Sequence, residues 1–228
     1  IVVTGGTDGI GLALTKKLIE QNHNVFIIGK NASKGNKVLN LLKSSNLEFF
    51  ECDLSELEQI NKILKTLNDI KEIDILINNA GAIFDKRCLN SNGIEKTFFL
   101  NHLSYFALSL GLVDKIKNSN DPRIINVSSN AHKRYKIDIK DLENKKNYSG
   151  WKAYCRSKLL NIFFTYSFKN KLKTKINMNC LHPGFVNSNF GNNNENIYRF
   201  LINILKNLFA IDSDKAALSP LNLALNQD

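Results

Sequence analysis

Ile1-Val2-Val3-Thr4-Gly5-Gly6-Thr7-Asp8-Gly9-Ile10-Gly11 is an apolar, β-branched run that breaks into a glycine-rich turn and passes at once into a helical pattern reaching to about residue 22. β-Branched residues favour a strand. Gly5, Gly9 and Gly11, spaced G-x-x-x-G-x-G, let the backbone turn tightly and approach an anion with no Cβ in the way. The helix that follows offers that anion its free N–H groups and the positive end of its dipole. Strand, turn and helix in this order favour a phosphate cradle over a glycine-rich turn without a ligand, which stays open on this motif alone. Gly5, Gly9 and Gly11 are expected at the pyrophosphate, and the turn as a whole, with Thr7, Asp8 and Ile10, is expected to bind the cofactor.

Outward from this turn, apolar runs alternate with helical stretches, the pattern of βαβ units on a parallel sheet. The expected strands are Ile1–Thr4, Asn24–Gly29, Leu47–Cys52, Ile73–Asn78, Arg123–Ser128 and Lys175–Leu181. Helices are expected near 9–22, 33–44, 55–70, 92–117, 150–173 and 213–225. Ile73-Asp74-Ile75-Leu76-Ile77 is nearly continuous in its apolar character, as a strand covered on both faces must be. The 228 residues, 43% of them hydrophobic, suit one Rossmann-type α/β domain: a doubly wound parallel sheet in a three-layer α/β/α sandwich. No internal repeat or linker divides the chain.

The 31 Lys and Arg against 21 Asp and Glu leave a formal charge of +10. That charge suits nucleic acid, an anionic membrane surface or a phosphate-rich cofactor. The basic residues are spread along the chain rather than clustered, which argues against nucleic acid. Cys52, Cys88, Cys155 and Cys180 form no CxxC pair and read as reduced thiols, pointing to a cytosol-facing location. His23, His102, His132 and His182 have no metal spacing, and no metal is expected. No run of about 18 apolar residues is present to span a bilayer. The chain opens inside a strand without an initiator Met and stops soon after residue 225, so truncation at both ends is expected, and an upstream targeting peptide or anchor stays open.

The choice of dinucleotide is made at the end of the second strand. NAD sites place an acid there for the ribose 2′-OH, whereas a basic group suits a 2′-phosphate. Here Ile28-Gly29-Lys30-Asn31 carries no acid. Lys30 is the candidate 2′-phosphate contact, against the plain reading of a surface lysine, and NADP(H) is favoured. NAD(H) stays open, since Asn31 can hydrogen-bond a bare 2′-OH.

Tyr154 and Lys158 in Tyr154-Cys155-Arg156-Ser157-Lys158 are i and i+4 on one helix face. A phenol with a pKa near 10 is a poor base at neutral pH, and a neighbouring ammonium favours its phenolate. That is the tuning proton transfer needs. Alone the pattern is weak. Its weight comes from Ser128-Ser129 at the end of strand five and Asn78-Asn79-Ala80-Gly81 at the end of strand four, both on the carboxyl rim where open α/β sheets bind ligands. Asn101 lies in an otherwise apolar helical stretch, where it either holds backbone and a relay water near Lys158 or is structural.

Taken together, TGGTDGIG (4–11), CDL (52–54), NNAG (78–81), NHLSYF (101–106), NVSS (126–129), YCRSK (154–158) and HPGFVNS (182–188) resemble the short-chain dehydrogenase/reductases over nearly the whole chain. The long gap between Ser129 and Tyr154 is similar to the retinol dehydrogenase branch. TGGTDGIG, Asn31-Ala32-Ser33-Lys34, the run Glu48 to Leu54 and Val186-Asn187-Ser188 are most similar to its X-linked subfamily, associated with polyprenol and dolichal redox chemistry. The resemblance implies roles. Ser129, rather than Ser128, polarises the substrate oxygen. Tyr154 transfers the proton, Lys158 binds the nicotinamide ribose and lowers the tyrosine pKa, and Asn101 holds a relay water. Asp53 and Leu54 flank adenine; Asn79, Ala80 and Gly81 line the cofactor; Pro183, Gly184 and Val186 flank the nicotinamide. Ser104 and Tyr105 stand where the branch carries Gly-His, and Phe185 sits inside the PG-x-V turn; both departures are expected to lie away from the chemistry. The family's last strand has no counterpart here.

The stretch from Ile197 to Phe209 is apolar on more than one face. It reads as a lid on a greasy substrate, a membrane-surface helix or plain core. The expected function is NAD(P)(H)-dependent interconversion of a hydrophobic alcohol and its aldehyde or ketone, retinoid- or polyprenol-like. Membrane-surface association facing the cytosol and a homo-oligomer both stay open, the latter through the apolar helix that carries Phe98, Phe99 and Phe106. The alternative is a non-catalytic dinucleotide-binding scaffold of the same fold, which has no need of Ser129, Tyr154, Lys158 and Asn101 together.

Overall fold

Six strands, all parallel, form one sheet in the order β3-β2-β1-β4-β5-β6: β1 (Val2–Thr4), β2 (Val25–Gly29), β3 (Leu47–Glu51), β4 (Ile75–Asn78), β5 (Arg123–Val127) and β6 (Asn177–Leu181). This is the doubly wound α/β sheet the alternation implied, and each strand lies within two residues of its expected span. The computed structural model describes residues 1–172, 175–184 and 212–226.

Successive residues of each central strand point to opposite faces, and both faces are covered. Val2, Ile28, Leu76 and Ile124 enter one core with α3 (Leu57–Asp69), α5 (Ser104–Ile116) and α6 (Gly150–Leu172), through Leu67, Leu112 and Phe164. Val3, Ile27, Ile77 and Ile125 enter the other with α1 (Gly9–Glu20), α2 (Ala32–Leu42) and the C-terminal helix, through Leu14, Leu18, Val38 and Leu221. Two short helices close the described chain, α7 (Ser213–Ala216) and α8 (Leu218–Leu225).

The single helix expected over 92–117 is instead three pieces: α4 (Lys96–Phe98), a π turn (Phe99–Leu103) and α5. Its start is delayed by a chain reversal at Gly93, where φ is +75°. The buried Glu95 carboxylate then caps the helix by accepting from the N–H groups of Thr97 (2.8 Å) and Phe98 (2.7 Å). A π turn widens the helix locally, and such turns gather at functional sites. This one carries Asn101.

Arg123, 4% exposed, ties α8 to the sheet. Its guanidinium donates to both Asp121 carboxylate oxygens (2.8 and 2.7 Å), to the Leu223 carbonyl (2.9 Å) and to the Asn226 carbonyl. Truncating it strands these acceptors. We expect Arg123→Ala to lower the unfolding free energy by about 2 kcal/mol, measured by urea denaturation.

Candidate active site

β1 and β4 are neighbours, and the loops that follow them leave toward opposite faces of the sheet. The crevice opened there is the topological switch point of a doubly wound fold. Thr4 locks its two walls together. Its hydroxyl oxygen accepts from the N–H groups of Asn79 (2.8 Å) and Ala80 (2.9 Å), while Asn79 Nδ2 donates to the Thr4 carbonyl (2.8 Å). Glycine is required on the other wall. Gly5 has φ +68°, and a Cβ on Gly11 would stand 2.1 Å from the Gly5 carbonyl oxygen. The Asn79 side chain also closes on this turn, its Nδ2 2.7 Å from where a Gly11 Cβ would stand, so only glycine fits at the mouth of α1, a cradle that suits a pyrophosphate group.

The neighbouring residues of the turn are tied down. Asp8 caps α1, accepting from Gly9 N–H (2.8 Å), and its second carboxylate oxygen pairs with Lys34 on α2. Thr7 lies against the end of β2, where a Cβ on Gly29 would meet its Oγ1 at 3.1 Å. Ile10 packs on the core. Lys30 is exposed at the end of β2. The Asn31 side-chain oxygen is already used to cap α2, accepting from Lys34 N–H (2.9 Å). The Asp53 carboxylate accepts from Ser55 N–H (2.9 Å) and Ser55 Oγ (2.7 Å), and the Leu54 side chain is buried in the core.

The structure brings three of the expected catalytic groups together at the carboxyl rim. Tyr154 is 8% exposed, and its hydroxyl is hydrogen-bonded to the Ser129 side chain. Ser129 Oγ also accepts from Ala131 N–H (3.2 Å), as the cap of a short 3-10 turn. Ser128 is used elsewhere: its hydroxyl donates to the Lys158 carbonyl (2.7 Å). Lys158 is 3% exposed, donates to the Val127 carbonyl (2.8 Å) and lies 5.7 Å from the centre of the Tyr154 ring. The Asn101 side chain bridges backbone and a hydroxyl: Oδ1 accepts from Ala82 N–H (2.9 Å), and Nδ2 donates to the Ala82 carbonyl (2.9 Å) and Ser157 Oγ (3.1 Å). Its own carbonyl accepts from Asn161 Nδ2 (2.8 Å). A Cβ on Gly81 would lie 3.2 Å from Asn101 Oδ1 and 3.6 Å from Lys158 Nζ, so glycine leaves this corner open. Pro183 and Gly184 follow β6. The Gly184 N–H donates to His182 Nδ1 (3.3 Å). Val186, Phe185 and the stretch from Ile197 to Phe209 lie outside the described residues.

Burial dominates the electrostatics of the bare protein. It pushes the Tyr154 phenol up to about 12; the Ser129 hydrogen bond pulls the other way without prevailing. In the bare protein the direction is thus upward, with desolvation of the phenolate as its largest cause. The same burial brings Lys158 down to about 8, against a smaller upward effect of Cys180. At neutral pH the site holds a protonated phenol beside a protonated amine.

Several site residues escaped the sequence. Tyr105, expected away from the chemistry, is fully buried with its ring 5.4 Å from Lys158 Nζ and its hydroxyl donating to the Ala80 carbonyl (2.9 Å). Trp151, 43% exposed, stacks on Tyr154 at 5.7 Å; their i, i+3 spacing on a helix was the available signal. Beneath the site runs a buried amide chain. Asn78 Nδ2 donates to Ser109 Oγ (3.1 Å) and Asn126 Oδ1 (2.9 Å), Asn126 Nδ2 to Thr165 Oγ1 (2.9 Å), and Thr165 Oγ1 to the Asn161 carbonyl (2.7 Å). Asn161 closes it on Asn101 and on His102 Nδ1 (2.9 Å). Polar residues at the ends of apolar strands were its signal.

Comparison with known proteins places this geometry. A family model described as short chain dehydrogenase matches residues 1–197. Human polyprenol dehydrogenase is 35% identical over 199 residues, which are 82% of this chain and 60% of the human protein. Human retinol dehydrogenase 12 is 34% identical over 194 residues, 82% of this chain and 61% of that protein. The chain thus spans about three-fifths of the length of these relatives. Among solved structures, the closed form of serine dehydrogenase complexed with NADP+ superposes with a TM-score of 0.79 at 21% identity, covering 98% of this chain and 88% of that one. An alcohol dehydrogenase from the archaeon Thermococcus sibiricus, complexed with 5-hydroxy-NADP, gives 0.75 at 19% identity over 98% and 88%. At these identities the structures speak for the fold, whereas the family match and the two human relatives speak for descent: the chain belongs to the short-chain dehydrogenases, on their retinol dehydrogenase-like side.

Proposed function

We propose that the chain interconverts a hydrophobic alcohol, retinoid- or polyprenol-like, and its aldehyde or ketone, with NADP(H) preferred and Tyr154 as the proton-transferring group. The observation that carries this reading is the hydrogen bond between the buried Tyr154 and Ser129 hydroxyls, with the Lys158 ammonium beside the same ring. The printed names of the human relatives support the substrate class. The glycine turn, where a Cβ on Gly11 has no room, supports a dinucleotide held by Gly5, Thr7, Gly9 and Gly11. Asn79, Ala80, Gly81, Pro183 and Gly184 stand along the rim toward the nicotinamide end, and Asp53 and Leu54 toward adenine.

The nicotinamide supplies the hydride in reduction and receives it in oxidation. The protein supplies the rest. Ser129 Oγ and Tyr154 Oη both hydrogen-bond the substrate oxygen and polarise it. With its pKa raised by burial, Tyr154 is protonated at neutral pH and competent to give its proton to that oxygen as charge builds there. The phenolate left behind is held by the Ser129 hydroxyl and the Lys158 ammonium. Asn101, anchored through Ala82, holds the Gly81 corner beside Lys158 and is the group we assign to a relay water. Among the described residues no helix is long and apolar enough to cross a membrane. Since a polyisoprenoid or retinoid resides in lipid, we place the working enzyme at a membrane surface.

The scaffold reading is tested with Tyr154→Phe. That variant should bind nucleotide like the parent while kcat/KM for a hydrophobic aldehyde falls about a hundredfold or more; unchanged turnover would remove Tyr154 from the chemistry. Cofactor choice is tested by binding alone. Lys30→Ala should weaken NADPH about tenfold and leave NADH unchanged, read by nicotinamide fluorescence titration. Equal effects on both would assign Lys30 to the surface.

A further inference from the structure

A buried ammonium without a carboxylate is costly, and Lys158 is one. Among the described residues it forms no ion pair, and it is 3% exposed. The groups that face it can be named element by element. β5 offers the Val127 carbonyl, β6 the Cys180 thiol, its own helix the Tyr154 ring, and α5 the Tyr105 ring. The π turn and the loop after β4 bring Asn101 and Gly81, which carry no charge. Tyr105 is nearer Nζ than Tyr154, 5.4 Å against 5.7 Å from the ring centre. Unlike Tyr154, whose hydroxyl meets Ser129, it is given no part in proton transfer here, because its hydroxyl is committed to a backbone carbonyl. Its hydroxyl is fixed on the Ala80 carbonyl, so the ring cannot turn away.

We infer that Tyr105 is a positioning residue: its ring is the seat of the Lys158 ammonium, holding the cation by its negative face and tying it, through the Ala80 carbonyl, to the turn that lines the cofactor crevice. An aromatic face within about 6 Å attracts a desolvated cation. One side chain therefore keeps Lys158 both in place and charged. Its relevance to turnover rests on the proposed role of Lys158, but the seat itself is tested without turnover.

The test is an NMR titration of Lys158 in protein carrying 13C-labelled lysine, with the resonance assigned by its loss in Lys158→Arg. The parent should titrate near 8, as burial dictates. Tyr105→Phe keeps the ring and should titrate with the parent. Tyr105→Leu and Tyr105→Met remove it and should titrate lower by about half a unit to one unit; the flexible methionine refills the site should the leucine variant not fold. A merely structural role leaves the titration in place or, by admitting water, moves it up. The inference is overturned if the ring-less variants titrate with or above the parent, or if Tyr105→Phe moves as far as they do. A Tyr154→Phe enzyme that still turns over defeats the proton-transfer reading and leaves this seat standing. An unmoved Lys158 beside an inactive Tyr154→Phe defeats the seat alone.

Discussion

The site is organised around a cation that must stay charged where water does not reach. Among the described residues the Lys158 ammonium, buried at the carboxyl rim, has no acid to neutralise it, and its surroundings answer that cost with dipoles and π faces: the Val127 carbonyl, the Tyr105 ring and the Tyr154 ring. Desolvation then lowers the lysine and raises the tyrosine. A carboxylate partner would have stabilised the ammonium more strongly, but it would also have cancelled the field that the proposed proton transfer from Tyr154 would use.

Holding that arrangement is the work of the polar groups beneath it. The chain from Ser109 through Asn78, Asn126, Thr165 and Asn161 to Asn101 crosses from α5 through β4 and β5 to α6 and back to the π turn. Each amide is buried, so a lost partner leaves a desolvated donor or acceptor. Such a network rigidifies the rim in one register. Thr4 does the same at the switch point, where one hydroxyl oxygen holds both N–H groups of the turn that faces the glycine cradle. The glycine turn and the corner that holds Lys158 therefore share one continuous scaffold, through Ala80, which is bonded to Thr4 on one side and Tyr105 on the other.

Most of the sheet was legible because a doubly wound strand is a short apolar run between breakers, and Ile75-Leu76-Ile77 or Ile124-Ile125 admit no other reading. The glycine turn was legible because Gly5 and Gly11 are demanded by backbone geometry. Tyr154, Ser129 and Lys158 converged as their motif order implied. What the sequence concealed were contacts across elements. Nothing in Ser104-Tyr105 says that a tyrosine on α5 will lie against a lysine on α6. Periodicity alone cannot show that Glu95 ends a turn and starts a helix, or that a π turn divides the following segment. The upward direction of the Tyr154 shift was also hidden, because its largest cause is burial, which belongs to the tertiary structure.

The most direct measurement follows the hydrogen itself. With NADPH deuterated at C4 and a retinoid or short polyprenyl aldehyde in water, the account places deuterium on the alcohol carbon and solvent hydrogen on its oxygen. Nucleotide binding with no deuterium in any alcohol product, across such aldehydes, would contradict it and leave the chain a dinucleotide-binding scaffold.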